Sequence, residues 1–227
     1  MQKQKMSTCY LVVCAMFIAI SYVMVIAFKF VPPVAGFLSY EPKDAIVAIG
    51  GFLYGPMTSV LISVATSFLE MITISETGLY GLLMNVVSTC AFAVPAAWFY
   101  KKHKTMGGAV IGLLIGVVTM AACMVAWNYV ITPFYMKSPD QTVSEVRTMV
   151  SGMLATVFLP FNLIKGGLNA GVTMLLYKPI VSALRAAKLA EPSQSSKKGK
   201  FSLGFLLFTL AVLSTFILLL LALLGKI

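Results

Sequence analysis

Charge is scarce in this chain, and negative charge scarcest. Seven Asp and Glu stand against seventeen Lys and Arg, and charged residues are only 11% of the 227. With 59% hydrophobic residues, this composition excludes a soluble domain of the same size and describes a polytopic protein of the lipid bilayer. Histidine is nearly missing. The one present, His103, lies in the basic stretch KKHK and reads as a solvated loop residue. No Walker A motif, HExxH, GxSxG or paired buried carboxylates can be found, so the expectation is no catalytic residue, no enzyme, and no ATP hydrolysis by the chain itself. Cysteines are few too. Cys9, Cys14, Cys90 and Cys123 fall in or beside apolar segments without CxxC or Cys/His spacing, so they read as small apolar residues rather than disulfides or metal ligands. The net charge of +10 raises the question of nucleic acid, but the basic residues cluster between apolar runs, as cytoplasmic loops do. No nucleic-acid partner is expected.

What is there is a series of apolar segments. The first, about Thr8 to Phe30, follows Lys3 and Lys5 like a signal peptide, but it is too long and lacks a small-residue cleavage site, so a retained helix is expected. It carries Ala15 and Ala19, a small-xxx-small pair that lets another helix approach closely. Pro32 and Pro33 stop it, and Tyr40, Glu41, Lys43 and Asp44 bring polar groups to the interface. Residues 44–74 are too long for one ordinary span and are interrupted by Gly50, Gly51, Gly55 and Pro56. The YGP turn predicts two helices, Asp44–Tyr54 and Pro56–Ile72, the first only about 16 Å long. Charge agrees: with a cytoplasmic N-terminus, two helices here put Lys101, Lys102 and Lys104 inside, as the positive-inside rule requires.

A fourth helix is expected over Leu79–Tyr100, with Asn85 near its outer end, and a fifth over Gly108–Ile131. The fifth ends in MVAWNYVITPFY, where Trp127 and Tyr129 suit an interfacial aromatic belt around Asn128. Residues 137–158 read as a loop and a helix lying along the outer surface. The sixth membrane helix opens at Leu159 with LPFNLIKGGLNAG and runs to about Leu184. Pro160 suits a first helical position, which predicts a helix start there. Asn162, Lys165 and Asn169, at i, i+3 and i+7, then share a face. Lys165 falls about 8 Å below the helix start. A lysine at that depth either faces a bundle interior or snorkels to the near interface, and two amides on its face favour a binding pocket. The expected division is a six-helix substrate-binding membrane domain over 1–184, a basic cytoplasmic linker over 185–200, and an added C-terminal transmembrane helix over 201–227. That last helix is apolar on all faces, like a lipid-facing span or anchor.

In this topology Glu41, Glu70, Asn85, Asn128, Asn162 and Lys165 all fall in the outer leaflet half, while the inner halves are nearly free of such groups. A pocket open to the outside and closed below fits that asymmetry; a channel or proton relay needs polar groups through the full depth. Taken singly, Asn85 and Asn128 also fit interhelical hydrogen bonding, and Glu70 fits a solvated helix end.

The six helices, the short second helix before YGP, Ala15-x-x-x-Ala19, WNYVITPFY and PFNLIKG resemble the substrate-capture subunits, or S components, of energy-coupling-factor (ECF) vitamin transporters, over about residues 8–184. The riboflavin type is the most similar. The resemblance implies an all-α integral membrane protein: a six-transmembrane-helix S-component bundle, here with an appended C-terminal helix. It implies a vitamin bound from outside, with Asn128, Asn162, Lys165 and Glu41 as the binding positions, and docking through the Ala15/Ala19 helix on a transmembrane coupling subunit driven by two ATPase subunits. Riboflavin would be transported cargo, with no cofactor implied. The stretch YEPKD departs from the riboflavin pattern. Carboxamides can match a flavin's pyrimidine edge, Trp127, Tyr129 and Phe161 can wall its dimethylbenzene end, and Lys165 and Glu41 can meet its ribityl hydroxyls; Asn85 joins the candidate site from the fourth helix. A single buried lysine argues against a phosphorylated flavin. The alternatives are an S component for another vitamin or precursor, such as thiamine or pantothenate, and, from another class, a membrane enzyme or an autonomous secondary transporter, for which inverted repeats and midplane helix breaks would be the signs.

Overall fold

Apolar runs cut by prolines and glycines fold into helices stacked side by side. The computed structural model describes residues 8–75, 77–190 and 203–226. Its helices are α1 (Thr8–Phe28), α2 (Lys43–Tyr54), α3 (Pro56–Thr73), α4 (Gly78–Lys102), α5 (Met106–Met136), α6 (Val143–Met153), α7 (Leu159–Ala186) and α8 (Leu203–Leu223). Among the described residues, six segments are long and apolar enough to cross a membrane: α1, α3, α4, α5, the joined stretch Val143–Ala186, and α8. The expected break between α2 and α3 is present. Gly55 takes φ +100°, which favours glycine, and Pro56 starts α3.

The 12-residue α2 is the innermost element; every residue from Lys43 to Phe52 is buried. Its glycines admit that position. A methyl on Gly51 would strike Ser59 and Ala97, and one on Gly50 would press on Ile62. The same device joins α4 to α5, where Gly112 and Gly116 lie against the backbone carbonyls of Ala96 and Phe92. The main apolar core runs through these contacts, with Phe17, Ile46, Ile49, Ile62, Phe92, Leu113 and Met120.

Three expectations need correction. First, the helix that starts at Leu159, with Pro160 in its first turn as expected, is not preceded by a loop. Helix α6 passes into α7 through a π-helical turn, Leu154–Phe158. The Leu159 amide bonds back to the Leu154 carbonyl, so the widened turn lies immediately before the proline, which cannot donate to a regular α ladder. Second, α5 continues past Ile131 to Met136 with Pro133 inside it, tolerating one missing N–H. Third, the inner halves are not bare of polar groups: Thr58, Ser59 and Ser63 are buried along the lower half of α3.

At one end of the bundle, here the lower end, Tyr10 meets Tyr54 edge-on, Tyr54 donates to the Leu189 carbonyl at 2.7 Å, and the Tyr100 and Tyr177 hydroxyls bond at 2.8 Å. A small cavity there is lined by Phe52, Leu113, Thr173, Tyr177 and Phe205. The upper end carries loop 29–42 and α6. Helix α8 packs antiparallel on α7, Leu213 at Gly171 and Phe216 at Gly167. It is mostly exposed, with Thr209 alone buried, but it also has a seat on the bundle. Residues 191–200 of the expected linker lie outside the described residues, and 185–186 belong to α7.

Candidate functional site

Loop 29–42 closes the upper end. Val34 and Leu38 exchange backbone hydrogen bonds at 2.9 and 3.0 Å, and the turn between them places Ala35 and Gly36 at positive φ. Val34 and Leu38 bury against Val146, Val150, Phe158 and Phe161, which anchors the loop to α6 and the top of α7. From that anchor the chain passes through Tyr40 and Glu41 into α2.

Beneath the loop lies a connected cluster of five charged side chains. Lys43 bonds both carboxylate oxygens of Glu70, at 2.6 and 2.7 Å, and lies 3.0 Å from Glu41. Lys165 lies 3.8 Å from Glu41 and 3.7 Å from Asp44. Asp44 accepts from Thr89 at 2.6 Å and from Asn169 at 3.2 Å. Asn169 also donates to the Glu41 carbonyl at 3.3 Å and accepts from the Tyr40 hydroxyl at 3.4 Å. Asn85 donates to Glu70 at 2.7 Å. Buried charges persist when paired and hydrogen-bonded; Lys43, Glu70 and Asp44 meet both conditions, while Lys165 is held by its ion pairs. Asp44 also lies in the first turn of α2, where the helix dipole favours a carboxylate.

Two loop groups respond to this setting. Burial alone would raise the Glu41 carboxyl, but the ammonium groups of Lys43 and Lys165 outweigh it and hold the group below its ordinary value. Burial, aided by the Asp44 carboxylate, pushes the Tyr40 hydroxyl well above its ordinary value, so it remains a donor to Asn169.

The structure thus brings together Glu41, Asn85 and Lys165. Lys165 is buried at 6% exposure and faces the interior; it does not snorkel. Glu70 is buried as well, not a solvated helix end. Asn128 and Asn162 are buried but make no hydrogen bond to the cluster among the described residues. The Asn128 amide donates to the Met124 carbonyl at 2.7 Å and its oxygen accepts from Thr132 at 2.8 Å; Asn162 donates to the Phe158 carbonyl at 2.8 Å. Both carboxamides are turned back on their own helices. Among the described residues, the buried indole nitrogen of Trp127 makes no hydrogen bond, and neither does Glu41 Oε2, despite its ion pairs. Tyr129 is exposed with Arg147 over its ring.

Lys43 and Asp44 correct the sequence reading most. They were expected at the interface with YEPKD, yet their exposures are 1% and 0%. Burying α2 carries its first turn inside. The legible signal was Asn169, on the same face as Lys165 and able to reach a carboxylate on a facing helix. With Lys43 present, Lys165 is not the lone buried cation, but three carboxylates outnumber the two ammonium groups, so the cluster remains unsuited to a phosphate.

Helix α1 presents Ala15 and Ala19 on an exposed face, flanked by Leu11, Val12, Met16, Ile20 and Val23. No segment of the described chain covers that face.

Comparison with known proteins agrees with this architecture. The profile of the family "ECF transporter, substrate-specific component" matches residues 9–177. The riboflavin transporter FmnP of Bacillus subtilis is 30% identical over 190 residues, covering 79% of this chain and 97% of that protein. The riboflavin transporter RibU of Streptococcus thermophilus is 26% identical over 156 residues, covering 67% and 73%. A solved structure of the S component of a bacterial ECF transporter superposes with a TM-score of 0.63 at 23% identity, over 78% of this chain and 97% of that one, which shows the shared fold.

Proposed function

The chain belongs to the family of substrate-specific components of ECF transporters, and from that premise we propose that it captures riboflavin at the upper end of the bundle for uptake by an ATP-driven partner module. The single observation that carries the reading is the buried Lys165, held between Glu41 and Asp44 on the α7 face that also bears Asn162. The names of the relatives supply the vitamin. Its binding residues would be Asn128, Asn162, Lys165 and Glu41, with Trp127 as an apolar wall. Asn85 would act through Glu70, which it bonds. For Asn128 and Asn162, binding means exchanging a backbone carbonyl on their own helix for the pyrimidine edge of the flavin, whose donors and acceptors carboxamides can match. The excess of carboxylates at the site suits the uncharged vitamin over its phosphate.

The upper end would face outside and the N-terminus the cytoplasm. In support, exposed Lys101 and Lys102 in the last turn of α4 and Lys104 just after it lie at the lower end, as the positive-inside rule asks. The exposed Ala15/Ala19 face would meet a transmembrane coupling subunit served by two ATPase subunits, since small residues permit close helix approach.

The test is riboflavin binding to the purified protein and to Asn162→Ala and Lys165→Ala. Each substitution should weaken binding by about 100-fold, the scale of an unpartnered polar group at a buried site, while the helical fold is kept. Unchanged affinity in both variants would remove α7 from the site.

A further inference from the structure

Helix α8 begins at Leu203, beyond residue 177 where the family match ends, so the shared architecture does not account for it. Its sequence, Leu, Phe, Ala, Val and Thr on every side, serves equally for an inert anchor. Its seat is more particular. Leu213 and Phe216 fill the groove left by Gly171 and Gly167, and Gly167 lies between Lys165 and Asn169 in sequence. The next turns of α8 climb to the loop. Leu213, Phe216, Leu220 and Leu223 pack against the apolar cluster formed by Tyr40, Ile164 and Leu168. Leu220, Leu223 and Leu224 also pack against the cluster of Val34, Leu38, Phe158 and Phe161. One apolar edge of α8 therefore packs against both apolar clusters that hold loop 29–42, the one that contains Val34 and Leu38 and the one that contains Tyr40, the residue before Glu41.

We propose that α8 is an in-chain strut that holds loop 29–42, and with it Glu41, down over the binding site, with Phe216 as its positioning residue. Phe216 acts through the apolar cluster that contains Tyr40, whose hydroxyl reaches Asn169. A bound ligand then leaves only when the loop lifts off α8, so the strut governs escape more than encounter, as interface changes usually do. The inference rests on the proposed binding role of Glu41, but its mechanical part, the holding of the loop, does not need a ligand.

Two readouts on the full-length protein test it. The first is the riboflavin dissociation rate, followed by flavin fluorescence after a chase. The second is the rate at which a thiol reagent labels Val34→Cys, a site 5% exposed in the bridge, above labelling of the native cysteines. Phe216→Ala should speed dissociation by about tenfold with little change in association, and speed Val34→Cys labelling by a similar factor. Phe216→Leu should restore most of the wild-type behaviour by refilling the groove. Leu218→Ala, on the exposed side of α8 at 56%, should change neither rate. Leu220→Ala is the milder variant if Phe216→Ala does not fold, and should shift both rates in the same direction. Wild-type rates in Phe216→Ala, or equal effects from Leu218→Ala, would overturn the strut. If the wild-type protein ignores riboflavin, the proposed ligand fails while the labelling rates still decide the strut.

Discussion

Replacing Lys43 by Met leaves the cluster beneath loop 29–42 with three carboxylates and one ammonium. Lys43 is within 2.6 and 2.7 Å of the two Glu70 oxygens and 3.0 Å of Glu41, and its side chain is 1% exposed. Methionine fills a similar volume without the charge, so the loss is electrostatic and not a cavity. Glu70 would keep the Asn85 hydrogen bond and Glu41 the more distant Lys165, so the loss should stay near the lower end of the range for a broken buried pair, about 3–5 kcal/mol. In a protein of this size that corresponds to a drop in Tm of about 10 °C. Adding Glu70→Gln removes the stranded carboxylate and keeps an amide where Asn85 donates. The double variant should therefore recover to within about 1 kcal/mol of wild type, because exchanging both partners of a buried pair is often nearly neutral. The assay is thermal unfolding in detergent of the wild type, both single variants and the double variant. A Lys43→Met protein that melts with the wild type, or a double variant that loses the sum of the single losses, would refute the view of Lys43 and Glu70 as one coupled unit.

Replacing Ala15 and Ala19 by Phe should leave riboflavin binding intact and stop uptake in cells, because bulky side chains prevent close helix approach; uptake that survives would remove this face from coupling. Glu41 gives a pH signature. Its carboxyl is held below the ordinary 4.5, so its pairing contributes fully above that value and is lost as pH falls through the lowered one. The Tm gap between wild type and Glu41→Gln should therefore be constant from neutral pH down to the ordinary carboxylate range and shrink as pH falls below it; a gap that persists at the acid end would contradict the pairing.

Sequence showed the membrane class, the helix order and the break before Pro56, because apolar run length and the glycine–proline pair are local signals. It also showed that Lys165 belongs inside, since the face it shares with Asn162 and Asn169 follows from helical spacing alone. It misplaced Lys43 and Asp44 because YEPKD reads as an interfacial loop until α2 is known to sit at the centre, and that depends on Gly50 and Gly51 admitting their neighbours. The passage through Pro160 was hidden for a different reason. A π turn has no strong composition of its own, and a proline is equally at home at a first turn. The seat of α8 was illegible because a helix apolar on every side does not reveal which side packs; only the groove at Gly167 and Gly171 selects it.

The most direct measurement is an absorption spectrum of the purified full-length protein followed by a riboflavin titration read through flavin and tryptophan fluorescence. Co-purified yellow flavin, or tight saturable quenching at one riboflavin per chain that is lost in Asn162→Ala and Lys165→Ala, is the predicted result. A colourless, folded protein that leaves riboflavin fluorescence unchanged would contradict riboflavin as the ligand of this chain.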